Sequence, residues 1–394
     1  MMALYVLITL RCGNCKAAFI VCCVFLPLVY LPLNLRPQML AYLFLVLTLI
    51  ILERFRQGHA AALWLLPPLF LVWVNTHGTF TLGVFALAVY WASGLVEIPW
   101  QGLESRRWTK QERVQLEGVG LLSLVALIIT PYGTQLLLYP LDLALHQGVM
   151  VANIAEWQPI AFNMIVGEYF MAVLVAFWVA QIALQPRWRL DEAVLLLTGI
   201  VGVCLHVRLM LAFVPFCAPL FGVILARWVP RYDPAKDKRV LNAAFIVFLL
   251  AAVVHYFPSR SRLQNQLQEK WPVRAVEYLR QHPAPAHLFN SYGYGGFLIW
   301  QMADQSKVFI DGRADIYLRS GVLVDYLDIG RLEPAAPYLL NTYDIQACLL
   351  DRHEHLIILL NALPEWQRVY SDPLTVLYVR KPRASGKNPG AGDP

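Results

Sequence analysis

Apolar residues run in long blocks along the first two-thirds of the chain, at 17–34, 38–53, 61–75, 79–97, 117–132, 168–184, 193–207, 209–226 and 240–257. A helix needs about 20 mostly apolar residues to cross a bilayer, with about 17 as a working minimum. The stretches 61–97 and 193–226 are each too long for one span. Polar residues interrupt both, as Asn75-Thr76-His77-Gly78 and as His206-Val207-Arg208. Each therefore reads as a tight helical hairpin. The pattern predicts an α-helical polytopic membrane domain of about eight full spans over 1–257.

After Pro258 the spacing of charges and loop residues becomes that of a small α/β domain over 258–382. Helices are expected near 271–281, 297–302, 315–328, 333–342 and 354–362. Strands are expected at 287–291, 345–350, 366–371 and 374–379, with a buried-type strand at 307–311. Alternation of this kind favours a small sheet with helices against it. Residues 383–394, rich in Gly, Pro and Lys, read as a disordered tail.

Composition fits this division: of 394 residues 58% are hydrophobic and 15% charged, against about 25% charged in an ordinary soluble domain. The net charge of +6 would suggest nucleic acid in a soluble protein. Here the basic residues crowd into short loops, so nucleic acid is set aside as a partner. If every run crosses once, fifteen Lys and Arg from Arg11 to Arg239 share one side, and the alternate loops hold only Arg36 and Arg208. The basic side is then cytoplasmic, and the C-terminal domain is extracytoplasmic. Cys12 and Cys15 form one CxxC without a second pair, so no zinc or disulfide framework is expected.

This topology gathers the unusual polar residues on the outer side. Arg36, Asn75, His77, Asp142, His146, Asn153, Glu156, His206 and Arg208 all fall at outer helix ends or in outer loops. Interfacial solvation explains any one of them; together they suggest an outward-facing polar cleft. Arg36 and Arg208 suit a phosphate, which a guanidinium binds in planar bidentate fashion; the bland alternative is snorkelling to lipid head groups. His206 beside Arg208 joins the candidate phosphate set, and Asn75 and His77 the candidate substrate contacts. Asp142 and Glu156, in the long outer loop 131–167, are candidate general bases, or else caps or salt-bridge partners. In the C-terminal domain, Asn290, Tyr292 and Tyr294 lie in a Gly-rich strand end, and Asp311-Gly312-Arg313 ends the next predicted strand. Strand ends of this composition suit ligand contact, although Asp311 and Arg313 could equally pair with each other. No metal-ligand cluster, phosphate loop or nucleophile elbow appears.

Several of these segments together carry a likeness: Arg36-Pro37-Gln38, Trp73 to Gly78, Glu156-Trp157-Gln158-Pro159, His206-Val207-Arg208, Phe289 to Trp300 and Val308 to Arg313. The chain resembles a family of bacterial polytopic membrane proteins similar to GT-C-type glycosyltransferases, the enzymes that use polyprenyl-phosphate sugars. The resemblance implies transfer of a sugar from a lipid-linked donor at the outer face of the bacterial cytoplasmic membrane. It names no cofactor and leaves a divalent metal open. The soluble-domain motif also looks distantly like that of oligosaccharyltransferase catalytic subunits, without their tryptophan-rich signature. GT-C enzymes place an acidic motif in their first outer loop, whereas no Asp or Glu precedes Arg36 here. The expectation is that the reading frame begins upstream of Met1 and that the site in this chain is partial. A transporter or flippase subunit and a non-catalytic membrane scaffold are the alternative readings.

Overall fold

Every apolar run folds as helix in the computed structural model, which describes residues 1–30, 37–100, 102–145, 148–283, 286–302, 305 and 307–382. Arg36, His146 and the proposed tail 383–394 lie outside the described residues. The chain divides into two units, Met1–Asp237 and Lys238–Pro394. The apolar helix 239–256 falls in the second unit, whereas the sequence reading grouped it with the membrane helices.

The first unit contains α1 (Met2–Cys12), α2 (Cys15–Tyr30), α3 (Gln38–Arg56), α4 (Leu66–Val74), α5 (Phe80–Ser93), α6 (Lys110–Ala126), α7 (Thr134–Leu145), α8 (Gly148–Asn153), α9 (Ile165–Leu184), α10 (Leu190–Leu205) and α11 (Met210–Leu225). Among the described residues four helices are long and apolar enough to cross a membrane: Gln38–Arg56, Ile165–Leu184, Val207–Leu225 and, in the second unit, α12 (Arg239–Tyr256). The helices Met2–Cys12, Cys15–Tyr30, Ala60–Val74 and Phe80–Ser93 are apolar but shorter. At about 1.5 Å per residue none of these matches a hydrocarbon core of about 30 Å by itself. None of the α12 side chains is buried, so an apolar solvent is the environment its composition demands.

Both expected hairpins are present, and local chemistry ends their helices. Val74 closes α4, and Thr79 precedes α5 with its N–H on His77 Nδ1 and its hydroxyl accepting from Trp73 Nε1. The long loop 131–167 is more structured than the sequence suggested, because Leu136 and Leu137 of α7 find apolar cover against the α3–α6 core. α6 begins at Lys110, earlier than the apolar run, because Thr109 and Glu112 cap it reciprocally.

Opposite the His206–Arg208 turn on the α10–α11 hairpin, three arginines are tied to three carboxylates. Arg11 at the end of α1 pairs with Glu192, Arg56 at the end of α3 with Asp191 at 3.0 Å, and Arg189 with Glu53 at 2.7 Å and Glu192 at 3.0 Å. Arg56 also lies over the Tyr90 and Trp108 rings, 4.6 and 5.2 Å from their centroids. The six charges sum to zero and fasten the ends of α1 and α3 to the start of α10. Two short parallel strands, β2 (Leu103–Ser105) and β3 (Trp188–Arg189), with β1 (Ile98–Trp100) antiparallel to β2, join the loops on that side.

In the second unit α12 is followed by α13 (Arg260–Lys270), which the sequence reading did not anticipate, and α14 (Val273–Gln281). The rest is β4 (Leu288–Asn290), α15 (Gly295–Met302), α16 (Ala314–Arg319), α17 (Val322–Gly330), α18 (Ala336–Thr342), β5 (Ala347–Asp351), α19 (Leu356–Ala362), β6 (Trp366–Ser371) and β7 (Thr375–Arg380). The sheet order is β4-β5-β7-β6, with β4 parallel to β5 and the other pairs antiparallel. Alternating side chains sort the core. Leu288, Ala347, Leu349 and Leu377 face α14 and α15, while Phe289, Cys348, Leu350, Val376 and Tyr378 face α17 to α19.

Two predicted elements differ. Residues 307–311 form only a single parallel bridge, Val308 to Leu288. The Asn290 side chain takes the place of a ladder there: its Oδ1 accepts from the Phe309 and Ile310 N–H groups, and its Nδ2 donates to the Ile310 and Ser291 carbonyls. The helix expected over 315–328 is two helices, because Gly321 takes φ 81°, a left-handed conformation that ends one and starts the other.

Candidate functional site

The α10–α11 turn and the short 3₁₀ turn Ala155–Trp157 are laced together by main-chain bonds. The Val207 N–H donates to the Gln158 carbonyl at 2.9 Å. His206 Nδ1 lies 2.7 Å from the Trp157 carbonyl oxygen; a carbonyl only accepts, so Nδ1 carries the proton. The His206 ring meets the Trp157 indole edge-on, 5.8 Å between centroids. The Arg208 guanidinium carbon sits 4.3 Å from the centroid of the Trp157 ring, inside cation–π range. From the third side, Tyr42 on α3 donates its hydroxyl to the Arg208 carbonyl at 2.9 Å and accepts from Gln38 Nε2 at 2.7 Å.

Of these groups Gln38, Tyr42, Gln158, Val207 and Arg208 line a cleft of about 740 Å³, and Trp157 and His206 stand behind its lining. Gln38, Met39 and Tyr42 of α3 form one wall, Val207, Arg208 and Leu211 a second, and the chain from Ala155 to Gly167 the third. Most of the lining is aliphatic, and Arg208 and Glu156 supply its charges. Gly167 is required in the third wall: a Cβ there would overlap the Ala161 carbonyl. Met164 and Ile165, both lining residues, are 63% and 77% exposed, so the cleft has an apolar lip. Among the described residues no carboxylate forms an ion pair with Arg208. An amphiphile with an anionic head and a hydrocarbon tail matches this distribution of charge and apolar surface.

Of the residues singled out from sequence, the structure brings Glu156, His206 and Arg208 together. Arg36 precedes α3 but is outside the described residues, as is His146. His206 is committed through Nδ1 to the Trp157 main chain, so its geometry is that of a brace. Asn75 donates to the Leu71 and Ile129 carbonyls at 2.9 and 3.0 Å, fastening the α4–α5 turn to the end of the α6 segment, and His77 accepts from Thr79 within the same turn. Neither lines the cleft. Asp142 is half-buried on α7 and is also absent from the lining, and Asn153 donates to Val149 within α8.

In the second unit each candidate is engaged within the unit, Asp311 and Arg313 with one another and the rest with other residues. Asn290 is fully buried and pins 308–311 as described. Asp311, 3% exposed, accepts from the Arg313 N–H and guanidinium at 2.9 Å and from the Tyr317 hydroxyl at 3.0 Å. Burial pushes this carboxyl up, but the Arg313 and Tyr317 hydrogen bonds outweigh it and hold the carboxyl below its ordinary range. Arg313 is raised in turn by the same pair. Tyr294 donates its hydroxyl to Asp351 at 2.9 Å; burial first, and then that carboxylate, raise its pKa. The Tyr292 N–H donates to the Tyr326 hydroxyl at 2.9 Å.

Gln38, Tyr42 and Trp157 were missed as site residues. The signal for the first two was an i, i+4 polar pair at the start of an apolar helix; for Trp157 it was its place between Glu156 and Gln158. Among the described residues no group of three or more His, Cys, Asp or Glu could hold a metal ion.

No protein-family model and no curated protein matches the chain. Among solved structures it is similar to the crystal structure of the Archaeoglobus fulgidus oligosaccharyltransferase tethered with an acceptor peptide containing the NVT sequon via a disulfide bond. The identity is 12% and the TM-score 0.46, over 89% of this chain and 56% of that one. The chain thus spans little more than half the length of that protein.

Proposed function

We propose that the chain is a membrane glycosyltransferase whose cleft holds the phosphate of a polyprenyl-phosphate sugar donor at the outer face of a bacterial cytoplasmic membrane. The observation that carries this reading is Arg208, a cation over the Trp157 ring without a carboxylate partner among the described residues, bordering a cleft whose lining is mostly aliphatic. A hydrocarbon chain suits the Met39, Ile160 and Ile165 side of that cleft, and a phosphate suits Arg208. The resemblance of the Glu156-Trp157-Gln158-Pro159 and His206-Val207-Arg208 segments to GT-C-type enzymes supplies the reaction class.

In this reading an acceptor hydroxyl attacks the anomeric carbon of the donor sugar, and its proton passes to the Glu156 carboxylate. The bond from the anomeric carbon to the phosphate oxygen breaks. The polyprenyl phosphate leaves with a second negative charge beside Arg208, which favours the transition state over the singly charged phosphodiester of the ground state. Glu156 qualifies as base because it lines the same cleft as Arg208, and Asp142 does not. Asn290, Asp311 and Arg313 pin their own turns, and this reading gives them no substrate contact.

The test is to incubate the full-length protein, reconstituted in lipid vesicles, with radiolabelled polyprenyl-phosphate sugars and to follow label into acceptor or free sugar. Release or transfer that Glu156→Gln abolishes is the expected result. Neither turnover nor donor binding with any sugar would remove the proposal.

A further inference from the structure

A guanidinium carries its five N–H donors in one plane and none on its faces. Stacking one face on an aromatic ring therefore costs it no donor and restricts how the charge is presented. Trp157 places a ring under Arg208, its centroid 4.3 Å from the guanidinium carbon, and the indole is itself held by its main chain. The Trp157 carbonyl accepts from His206 Nδ1, and the Gln158 carbonyl accepts from the Val207 N–H, so both bonds come from the segment that carries Arg208. The cation and its platform are thus parts of one laced unit, with Tyr42 fixing the Arg208 carbonyl from α3.

We infer that Trp157 is a positioning residue that sets the head-group selectivity of the cleft, holding the Arg208 guanidinium edge-on to the phosphate at the end of an isoprenoid chain. The inference rests on the proposed donor-phosphate reading and assigns the selectivity to a side chain that need not touch the phosphate. A flexible Arg208 would still attract anions, but without a fixed plane it would lose the paired in-plane hydrogen bonds that separate phosphate from a neutral alcohol. Replacing Trp157 by Leu keeps an apolar filler and removes the quadrupole that holds the cation.

The experiment uses the full-length protein in nanodiscs of zwitterionic lipid, with farnesyl phosphate and farnesol as probes of the same tail and different heads. The wild-type protein is expected to bind the phosphate much more tightly than the alcohol. Trp157→Leu should weaken farnesyl phosphate by about tenfold and leave farnesol within about twofold, with Trp157→Phe restoring about half of the loss in logarithmic terms. In a double-mutant cycle, Trp157→Leu should add almost nothing to Arg208→Ala, because the two act through one cation. A merely structural tryptophan would instead weaken both probes alike and remain additive with Arg208→Ala. That outcome, or an unchanged ratio of the two affinities, overturns the inference; should the Leu variant fail to reconstitute, the Phe variant and its cycle decide the matter alone. A wild-type protein that does not distinguish the two probes overturns the donor-phosphate reading itself.

Discussion

The first unit handles arginine in two opposite ways at different helix ends. Arg11, Arg56 and Arg189 are mostly buried and each faces a carboxylate, so their charge is spent inside the protein. Arg208 is half-buried, rests on an indole and borders an open cleft. A buried charge is tolerated only when paired and hydrogen-bonded. The first arrangement therefore fastens helices, whereas in the second no carboxylate among the described residues pairs with the guanidinium, the edge that the proposed reading gives to a phosphate. The difference teaches that partner geometry, rather than residue type or position along the chain, separates a structural arginine from a candidate binding one.

Breaking the fastened end should give the largest effect. Glu192→Ala strips Arg11 of its carboxylate and Arg189 of one of two, and loss of one member of a buried pair costs about 3–5 kcal/mol. Thermal unfolding in detergent should show that loss, while the phosphate-to-alcohol selectivity of the folded fraction stays as in wild type. A stability change below about 1 kcal/mol would mean that the six-charge network holds little.

The reverse holds for Arg208→Ala. Charge-assisted hydrogen bonds contribute about 1.5–3 kcal/mol, so farnesyl phosphate should bind about ten- to a hundredfold more weakly. Thermal stability should move by less than about 1 kcal/mol. A large drop in stability with retained affinity would place Arg208 with the other three arginines and dissolve the contrast.

The smallest effect concerns Asp311 and Arg313, a pair with its carboxylate buried and its guanidinium 62% exposed. The folded-state pKa of Asp311 is depressed, so its contribution is present above the unfolded value of about 3.9. It is lost as pH falls below that value and through the folded one. Unfolding followed between pH 5 and 3 should show a shallower acid limb for Asp311→Asn than for wild type. Identical limbs would mean that the pair is energetically idle.

Much of the helical layout was legible because apolar blocks and their polar interruptions are local signals. The turns at Asn75–Gly78 and His206–Arg208, the short apolar runs that become β5 and β7 and the helices α14 and α19 all follow from them. The grouping of Glu156 with Arg208 was legible only as two polar segments at the ends of apolar runs, and not as one cleft. What could not be read were roles created by distant partners. Arg11, Arg56 and Arg189 count in the sequence as loop charges that orient the chain; Glu53, Asp191 and Glu192, up to 181 residues away, make them ties. Asn75 and His77 look like site residues because polar groups at an apolar boundary are conspicuous, and the structure shows Asn75 tying its turn to Ile129 and His77 accepting from Thr79, a role set by partners up to 54 residues away. Trp157 reads as an aromatic in a loop until His206, Val207 and Arg208 converge on it.

Asn290 carries one last consequence. Its amide offers both donors and an acceptor, and it uses them on three neighbouring peptide groups of residues 309 and 310 and on its own successor. A strand holds its neighbour like a zip, tooth by tooth, and can fray from one end. The segment leading to Asp311 is instead held by one bridge at Val308 and one rivet, so most of its seating hangs on one side chain: a change of one atom, from amide nitrogen to carboxylate oxygen, would set lone pair against lone pair and loosen the plate.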